Sequence, residues 1–241
     1  MLNRVTETLG LVRHTDAEII DYIQLAEASG IQLIFSLGPR ATYDIGASAR
    51  TEQGSFIGNR LRGADQLRRA LEEVERGLEL GCRAFVVYDE GLLDILGSAR
   101  TRGMLPEDLF LKASAHLGHA NPASARLLER LGANSINPIR DLTVPMIASI
   151  RSATHVPLDI HVDNPASSGG FIRTLEAAEI VTVARPVHLK TGNSVVSRHG
   201  AVTSSEDGER MAVQAEIVLE SLRRYGPELT QSEPKEAAQF K

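Results

Sequence analysis

The feature that most restricts this chain is a unit that recurs along it. An amphipathic, helix-length stretch runs to a terminator ending in Gly and is followed by a short apolar run. It appears as Ala26-Glu27-Ala28-Ser29-Gly30 before Ile31-Gln32-Leu33-Ile34-Phe35, and as Leu78-Glu79-Leu80-Gly81 before Ala84-Phe85-Val86-Val87. A third copy is Leu131-Gly132 before Ala133-Asn134-Ser135-Ile136. Gly just past a helix end takes the left-handed conformation without a Cβ clash, so each of these marks a helix stop. Starts are marked as well. Thr15 with Glu18 reads as a capping box, and Asn121-Pro122 as an N-cap followed by Pro in the first helical position. Leu67, Leu71, Val74 and Leu78 share one face of a helix expected within 63–80, and Met211, Ala215, Val218 and Leu222 one face of a final helix over 206–225. Helices alternating with short strands imply parallel βαβ units. Strands are expected near 33–38, 84–89, 109–116, 135–137, 158–163 and 187–190, with a weaker one at 9–14. An eighth is not evident.

The faces of these strands separate an open sheet from a barrel. A doubly wound sheet is covered by helices on both sides, so its strands are apolar on both faces. Here Leu109, Leu111, Ala113 and Ala115 oppose Phe110, Lys112, Ser114 and His116. Likewise Leu158, Ile160 and Val162 oppose Asp159, His161 and Asp163, and Val187 and Leu189 oppose His188 and Lys190. Parallel strands with one apolar and one polar face fit a ring of strands with helices outside and a functional interior. The expected fold is α/β, a TIM-type (β/α) barrel that is incomplete or irregular. No linker rich in Pro, Gly or Ser divides the chain, so residues 1–228 are expected to form one domain and 229–241 a polar, frayed tail.

Composition removes other classes. With 26 Lys and Arg against 31 Asp and Glu, the formal charge of −5 supplies no broad cationic face for nucleic acid. The single cysteine, Cys82, excludes an internal disulfide framework and any cluster held by several thiolates of this chain. No apolar run approaches a membrane span and no signal-peptide core follows Met1, so a cytoplasmic, membrane-free protein is expected. Whether it forms a homo-oligomer is left open.

On the barrel reading Lys112, His116, Asp159, His161, Asp163, His188 and Lys190 project inward, with Asp89 and Asn137 at strand ends. Barrel active sites form at the C-terminal strand ends, where residues from several strands converge. Burying so many ionisable groups is costly unless they pair or face water. Lys112 and Asp159 are candidates for an internal ion pair, and His155 for a solvated loop residue. Three chemistries stay open. Lys190, or Lys112, could serve as a desolvated amine that forms a Schiff base or binds an anion. His116, His161, Asp163 and His188 could hold a divalent metal such as zinc or manganese. His161 or Asp163 could act as a base beside a lysine that stabilises an enolate. The long segment 38–62 follows a strand and should lie over the mouth, where Arg40, Arg50, Arg60 and Arg62 would meet a small anionic substrate. The Ser167-Ser168-Gly169-Gly170 turn is expected to open a helix at Phe171 and to offer free amides to a phosphate or carboxylate.

Several ordered strings carry a family likeness. Ala49-Arg50-Thr51-Glu52-Gln53-Gly54, Asn59-Arg60-Leu61-Arg62-Gly63, Asp89-Glu90-Gly91-Leu92-Leu93, Gly118-His119-Ala120-Asn121-Pro122-Ala123, Gly169-Gly170-Phe171-Ile172-Arg173 and Leu189-Lys190 resemble peptidase family U-32, the collagenase-like peptidases. The resemblance spans about 38–192. It implies a TIM-like barrel and a hydrolase or peptidase. Better-known members follow the corresponding strand with His-Gly and a set of cysteines that in several cases hold an iron–sulfur cluster. This chain has Val162-Asp163-Asn164-Pro165 there and no later cysteine, so such a cluster is not expected.

Both readings together give the candidate site. Lys190, Asp163, His119 and Asp89 are the catalytic candidates, and Arg50, Glu52, Arg60, Arg62, Asn121, Gly169, Gly170 and Arg173 the substrate-binding ones. The function expected is an enzyme acting on a small anionic organic substrate by lysine and carboxylate acid–base or lyase-type chemistry. A metal-dependent peptidase or amide hydrolase, and a non-catalytic barrel subunit beside a catalytic homologue, are the alternatives.

Overall fold

The computed structural model describes residues 2–38, 51 and 58–232. Among them seven strands form one parallel sheet in sequence order: β1 Arg4–Glu7, β2 Gln32–Ser36, β3 Ala84–Val87, β4 Phe110–Ala113, β5 Ser135–Ile136, β6 Leu158–His161 and β7 Val187–Lys190. Between and after them run α1 Asp16–Ala28, α2 Gly63–Glu79, α3 Glu90–Thr101, α4 Pro122–Arg130, α5 Val144–Arg151, α6 Ala177–Ala184 and α7 Ser205–Tyr225. This is an incomplete TIM-type barrel. β1 and β7 are its two edges and do not pair with each other.

The local signals resolve as their chemistry requires. Thr15 closes a capping box with Glu18 at the start of α1, and Asn121 caps α4 ahead of Pro122. Gly30, Gly81 and Gly132 all follow helix ends at positive φ, 64°, 100° and 100°. The expected strand at 9–14 is not there. The Glu7 carboxylate accepts the amides of Leu9 and Gly10, the latter at 2.8 Å, and Gly10 turns at φ 111°. The chain bends into a 3-10 turn over Leu11–Arg13, and the first strand lies upstream, at Arg4–Glu7.

Two apolar layers flank the sheet. Leu109, Leu111, Leu158, Ile160 and Val162 join the large core beneath the helices, with Val74, Leu93, Leu128 and Ile180. Inside the barrel Ile34, Ala84, Val86, Tyr88 and Phe110 form a smaller cluster. The alternation read along β4 and β6 therefore divides an outer core from an inner surface. Helices α3 and α4 approach closely where a Cβ on Gly97 would lie 2.2 Å from the Leu131 carbonyl oxygen. Arg100 binds across the same junction, donating to the carbonyls of Leu109 at 2.6 Å and Gly132 at 2.8 Å. Among the described residues no helix is long and apolar enough to cross a membrane.

Candidate active site

The inner faces of β1, β4, β6 and β7 carry the charged groups. Lys112 Nζ donates to Asp159 Oδ1 at 2.6 Å, the internal pair expected from sequence. Arg4 Nη1 reaches both oxygens of the same carboxylate, at 3.0 and 3.3 Å, while its guanidinium lies over the Phe110 ring, 4.9 Å from the centroid. The β6–β7 register sets Asp159 beside His188 and, two residues on, His161 beside Lys190. Asn137 fixes the His161 tautomer. Its Nδ2 donates to the Asp159 carbonyl at 2.6 Å, so its Oδ1 accepts from His161 Nε2–H at 3.2 Å. That leaves His161 Nδ1 as a buried acceptor with no partner among the described residues. Lys190 Nζ likewise has no hydrogen-bond or ion-pair partner there.

Burial and the leading charge oppose each other at Asp159 and reinforce each other at Lys190, His161 and His188. Burial disfavours the Asp159 carboxylate, but Lys112 and Arg4 outweigh it and hold Asp159 well below the usual carboxylate range. Burial, followed by the charge on Lys112, pulls the Lys190 ammonium well below the usual lysine range. His161 is held well below its ordinary value by burial and then by Lys190. His188 is held down at about 4 by burial and then by Arg4. Arg4, Lys112 and Lys190 thus share a single carboxylate, Asp159, and Arg140 adds its charge at Lys190 and His161, which makes the interior attractive to an anion.

A cavity of about 1090 Å³ opens on this cluster. It follows the seam between β1 and β7, where an eighth strand would stand, and is closed on the helix side by α7. Arg4, Lys112, Asp159, His188 and Lys190 form its polar wall; Met211, Ala215, Val218, Leu219 and Leu222 line the α7 side. The cavity runs along the flank of the barrel as well as to the C-terminal mouth where sequence reasoning put the site.

The remaining sequence candidates are distributed differently. Asp89 caps α3 through Leu92 N–H at 3.1 Å and accepts the Leu61 amide at 3.2 Å. His119 Nε2 lies 2.9 Å from Glu90, which also pairs with Arg60, and Arg60 donates to the Leu117 carbonyl at 3.0 Å. Burial, then the charge on Arg60, lowers the His119 imidazolium. These residues form a second cluster beyond the ends of β3 and β4. Asp163 is fully buried, and its Oδ2 accepts from Gly192 N–H, Ser194 N–H and Ser194 Oγ–H at 3.1, 3.0 and 2.5 Å. It pins the turn after β7. Asn121 is an exposed cap, and Arg62 is exposed at the start of α2. Arg173 donates to the Leu142 carbonyl at 2.6 Å and to Glu176 at 2.5 Å. Arg40, Arg50 and Glu52 lie outside the described residues.

Three expectations are corrected by the structure. The amides of Gly169 and Gly170 are taken by the carbonyls of Ala166 and Pro165, at 3.2 and 3.1 Å, so that turn offers no anion nest. No helix opens at Phe171; Ile172 instead bridges Asp163 in antiparallel fashion, and α6 begins only at Ala177. Nor do His116, His161, Asp163 and His188 converge as metal ligands. Among the described residues no three His, Cys, Asp or Glu side chains are placed to hold a metal ion. His116 accepts from Arg140 at 3.0 Å and its ring is tilted 46° against that of His199, with centroids 4.8 Å apart; His188 stands a rung below His161, and Asp163 is saturated on one oxygen by the turn after β7. Cys82 is buried ahead of β3, where burial pushes its thiol up to about 11.

Sequence reasoning missed Arg4, Arg140 and Glu90. Arg4 lies upstream of the strand expected at 9–14, in a first strand too short to show a period. Arg140 follows Asn137-Pro138-Ile139 just past β5, at the C-terminal end where site residues gather, so position was the available signal. Glu90 stands next to Asp89, with the outward reach that a capping Asp lacks.

The chain matches no protein-family model and no curated protein. Solved structures do resemble it. A protein named as the copper homeostasis protein CutC from Streptococcus agalactiae has a TM-score of 0.51 at 15% identity, over 77% of this chain and 86% of that one. A U32 peptidase has a TM-score of 0.42 at 20% identity, over 66% of this chain. The match spans 60% of the U32 peptidase's own length. An aldolase from Escherichia coli K12 has a TM-score of 0.43 at 15% identity, over 92% of this chain and 89% of that one. The likeness to CutC shows the fold alone, a TIM-type barrel.

Proposed function

We propose that this barrel is an enzyme that acts on a small anionic carbonyl compound, with Lys190 as its amine and lyase- or isomerase-type chemistry. The observation that carries the reading is the state of Lys190. Lys190 lines the cavity with no hydrogen bond or close ion pair among the described residues; the charges on Lys112, Arg140 and Arg4 oppose its protonation, and only Asp159 favours it. A lysine so placed keeps a neutral, nucleophilic fraction at neutral pH.

The steps follow from the neighbouring groups. The neutral amine of Lys190 adds to the carbonyl carbon, and the carbonyl oxygen leaves as water once protonated, giving an iminium. The iminium draws electrons from the adjacent C–H or C–C bond, and hydrolysis by water returns the amine. His161, beside Lys190 with Nδ1 free, is the group that takes and returns a proton. Arg4 and Lys112, fixed by Asp159, hold the substrate anion.

Sodium borohydride reduces an iminium to a stable secondary amine. Incubation with a panel of 2-oxo acids and borohydride should add the reduced acid to the chain, with the modified tryptic peptide carrying Lys190. The Lys190→Met variant should take up none. Absence of any adduct at Lys190 across the panel, or equal labelling of surface lysines, would overturn the reading. Assay for amide and peptide hydrolysis on the same preparation covers the activity that the U-32 resemblance implies.

A further inference from the structure

The cavity has two chemically distinct ends, and its apolar end is not needed for the reaction just described. Its inner wall is cationic. Arg4 is only 6% exposed, and although Nη1 binds Asp159, Nη2 is buried with no hydrogen-bond partner among the described residues. A buried guanidinium nitrogen without an acceptor costs free energy of the kind that a bound carboxylate recovers. The opposite wall is the inward face of α7, where Met211, Ala215, Val218, Leu219 and Leu222 present hydrocarbon. Because β1 and β7 do not pair, the space inside the barrel is continuous with the space under α7. At about 1090 Å³ it exceeds what a three- or four-carbon acid would fill.

Resting on the proposed site, we infer that its substrate is an amphiphilic acid whose carboxylate sits among Arg4, Lys112 and Lys190 and whose hydrocarbon tail passes through the β1–β7 seam to lie along α7. The charge complementarity at one end and the hydrocarbon that α7 presents at the other select this occupant. A short hydrophilic acid would leave the α7 wall wet, and a fully apolar molecule would leave Arg4 Nη2 unpaired.

Straight-chain carboxylates from butanoate to decanoate, titrated calorimetrically into the full chain below their micelle concentrations, test the idea without requiring a carbonyl. Affinity should rise about fourfold per added methylene, the equivalent of ~0.8 kcal/mol each. The matching 1-alkanols should bind at least tenfold more weakly. Leu219→Trp or Met211→Trp should leave butanoate binding intact, which reports a folded site, and weaken decanoate at least tenfold. A chain-length series that is flat, or alcohols that equal the acids, would overturn the inference. So would decanoate binding that ignores both Trp variants. A steep series without a borohydride adduct would support the tail site and reject the amine chemistry; an adduct with a flat series would do the reverse.

Discussion

Asp159 is the residue on which the interior charges depend. Two cations, Lys112 and Arg4, bind it within 3.3 Å, and all three side chains are nearly inaccessible. A buried pair is weak evidence of net stabilisation, but removing one partner leaves uncompensated charge behind. Asp159→Asn should therefore cost about 3–5 kcal/mol in urea unfolding, well above the ~1 kcal/mol of an average substitution. A loss under 1 kcal/mol would mean that water reaches Lys112 and Arg4. His188, on the adjacent strand, acts in a different pH range. Its folded value of about 4 lies below the ~6.5 of an unfolded histidine, so the unfolded chain binds the extra proton as pH falls. The neutral buried form contributes in full above pH ~6.5, and that contribution drains away down to about 4. At pH 5 the loss should be about 2 kcal/mol. His161, shifted the same way, adds to it. The difference in unfolding free energy between pH 7.5 and pH 5 should shrink by about that 2 kcal/mol in His188→Gln; an unchanged pH dependence would show that His188 is already solvated.

At the scale of elements, one substitution should have opposite signs at two glycines. A Cβ at Gly97 would lie 2.2 Å from the Leu131 carbonyl oxygen and 3.2 Å from Gly132 Cα, both backbone atoms that cannot rotate away. Gly97→Ala gains ~1 kcal/mol of helix propensity, but overpacking of this kind costs ~1–3 kcal/mol. Separation of α3 from α4 would also stretch the Arg100 bonds to Leu109 and Gly132, so the loss should win by about 1–2 kcal/mol. Gly208 in α7 has nothing within 4 Å of its would-be Cβ, so Gly208→Ala should gain the propensity term, ~1 kcal/mol. Thermal unfolding of the two variants compares the signs directly. The same elements show what was legible in the sequence. Caps and stops at Thr15, Asn121, Gly30, Gly81 and Gly132 depend on neighbours within about one helical turn and could be read locally. So could the two faces of β4 and β6, which carried Lys112 and Asp159 to the interior. β1 could not: Arg4-Val5-Thr6-Glu7 holds one large aliphatic residue, and no period can be counted over four positions. The split of the candidate site into two clusters was also illegible, because it depends on Arg60, Glu90 and His119 meeting across long sequence separations.

For the whole molecule, the unclosed seam should decide where the structure opens first. A closed barrel has no edges, whereas among the described residues this sheet leaves one edge of β1 and one of β7 without a strand partner. Burial follows the same gradient. Every residue of β3, β4 and β6 is buried, those of β7 are all intermediate, and β1 ranges from intermediate to exposed. What covers the seam is α7 and the residues after it: Ser221 Oγ donates to the Thr174 carbonyl at 3.0 Å, and Asn3 Nδ2 donates to the Ser232 carbonyl at 2.7 Å. Residues 229–232, expected as the start of a frayed tail, are thus tied to the beginning of β1's approach. Amide exchange tracks local opening, and segments with few buried contacts open at the lowest cost. Peptides covering β1 and β7 should therefore exchange at least tenfold faster than those covering β3 and β4, under conditions where the native state is fully populated. A ligand lodged in the cavity binds the closed form and should slow exchange at β1 and β7 in proportion to its occupancy, by mass action, while β3 and β4 change far less. Decanoate, as the probe for the amphiphilic site, should reproduce that pattern. Equal protection across all strands in the free protein would show that α7 closes the barrel as firmly as an eighth strand would.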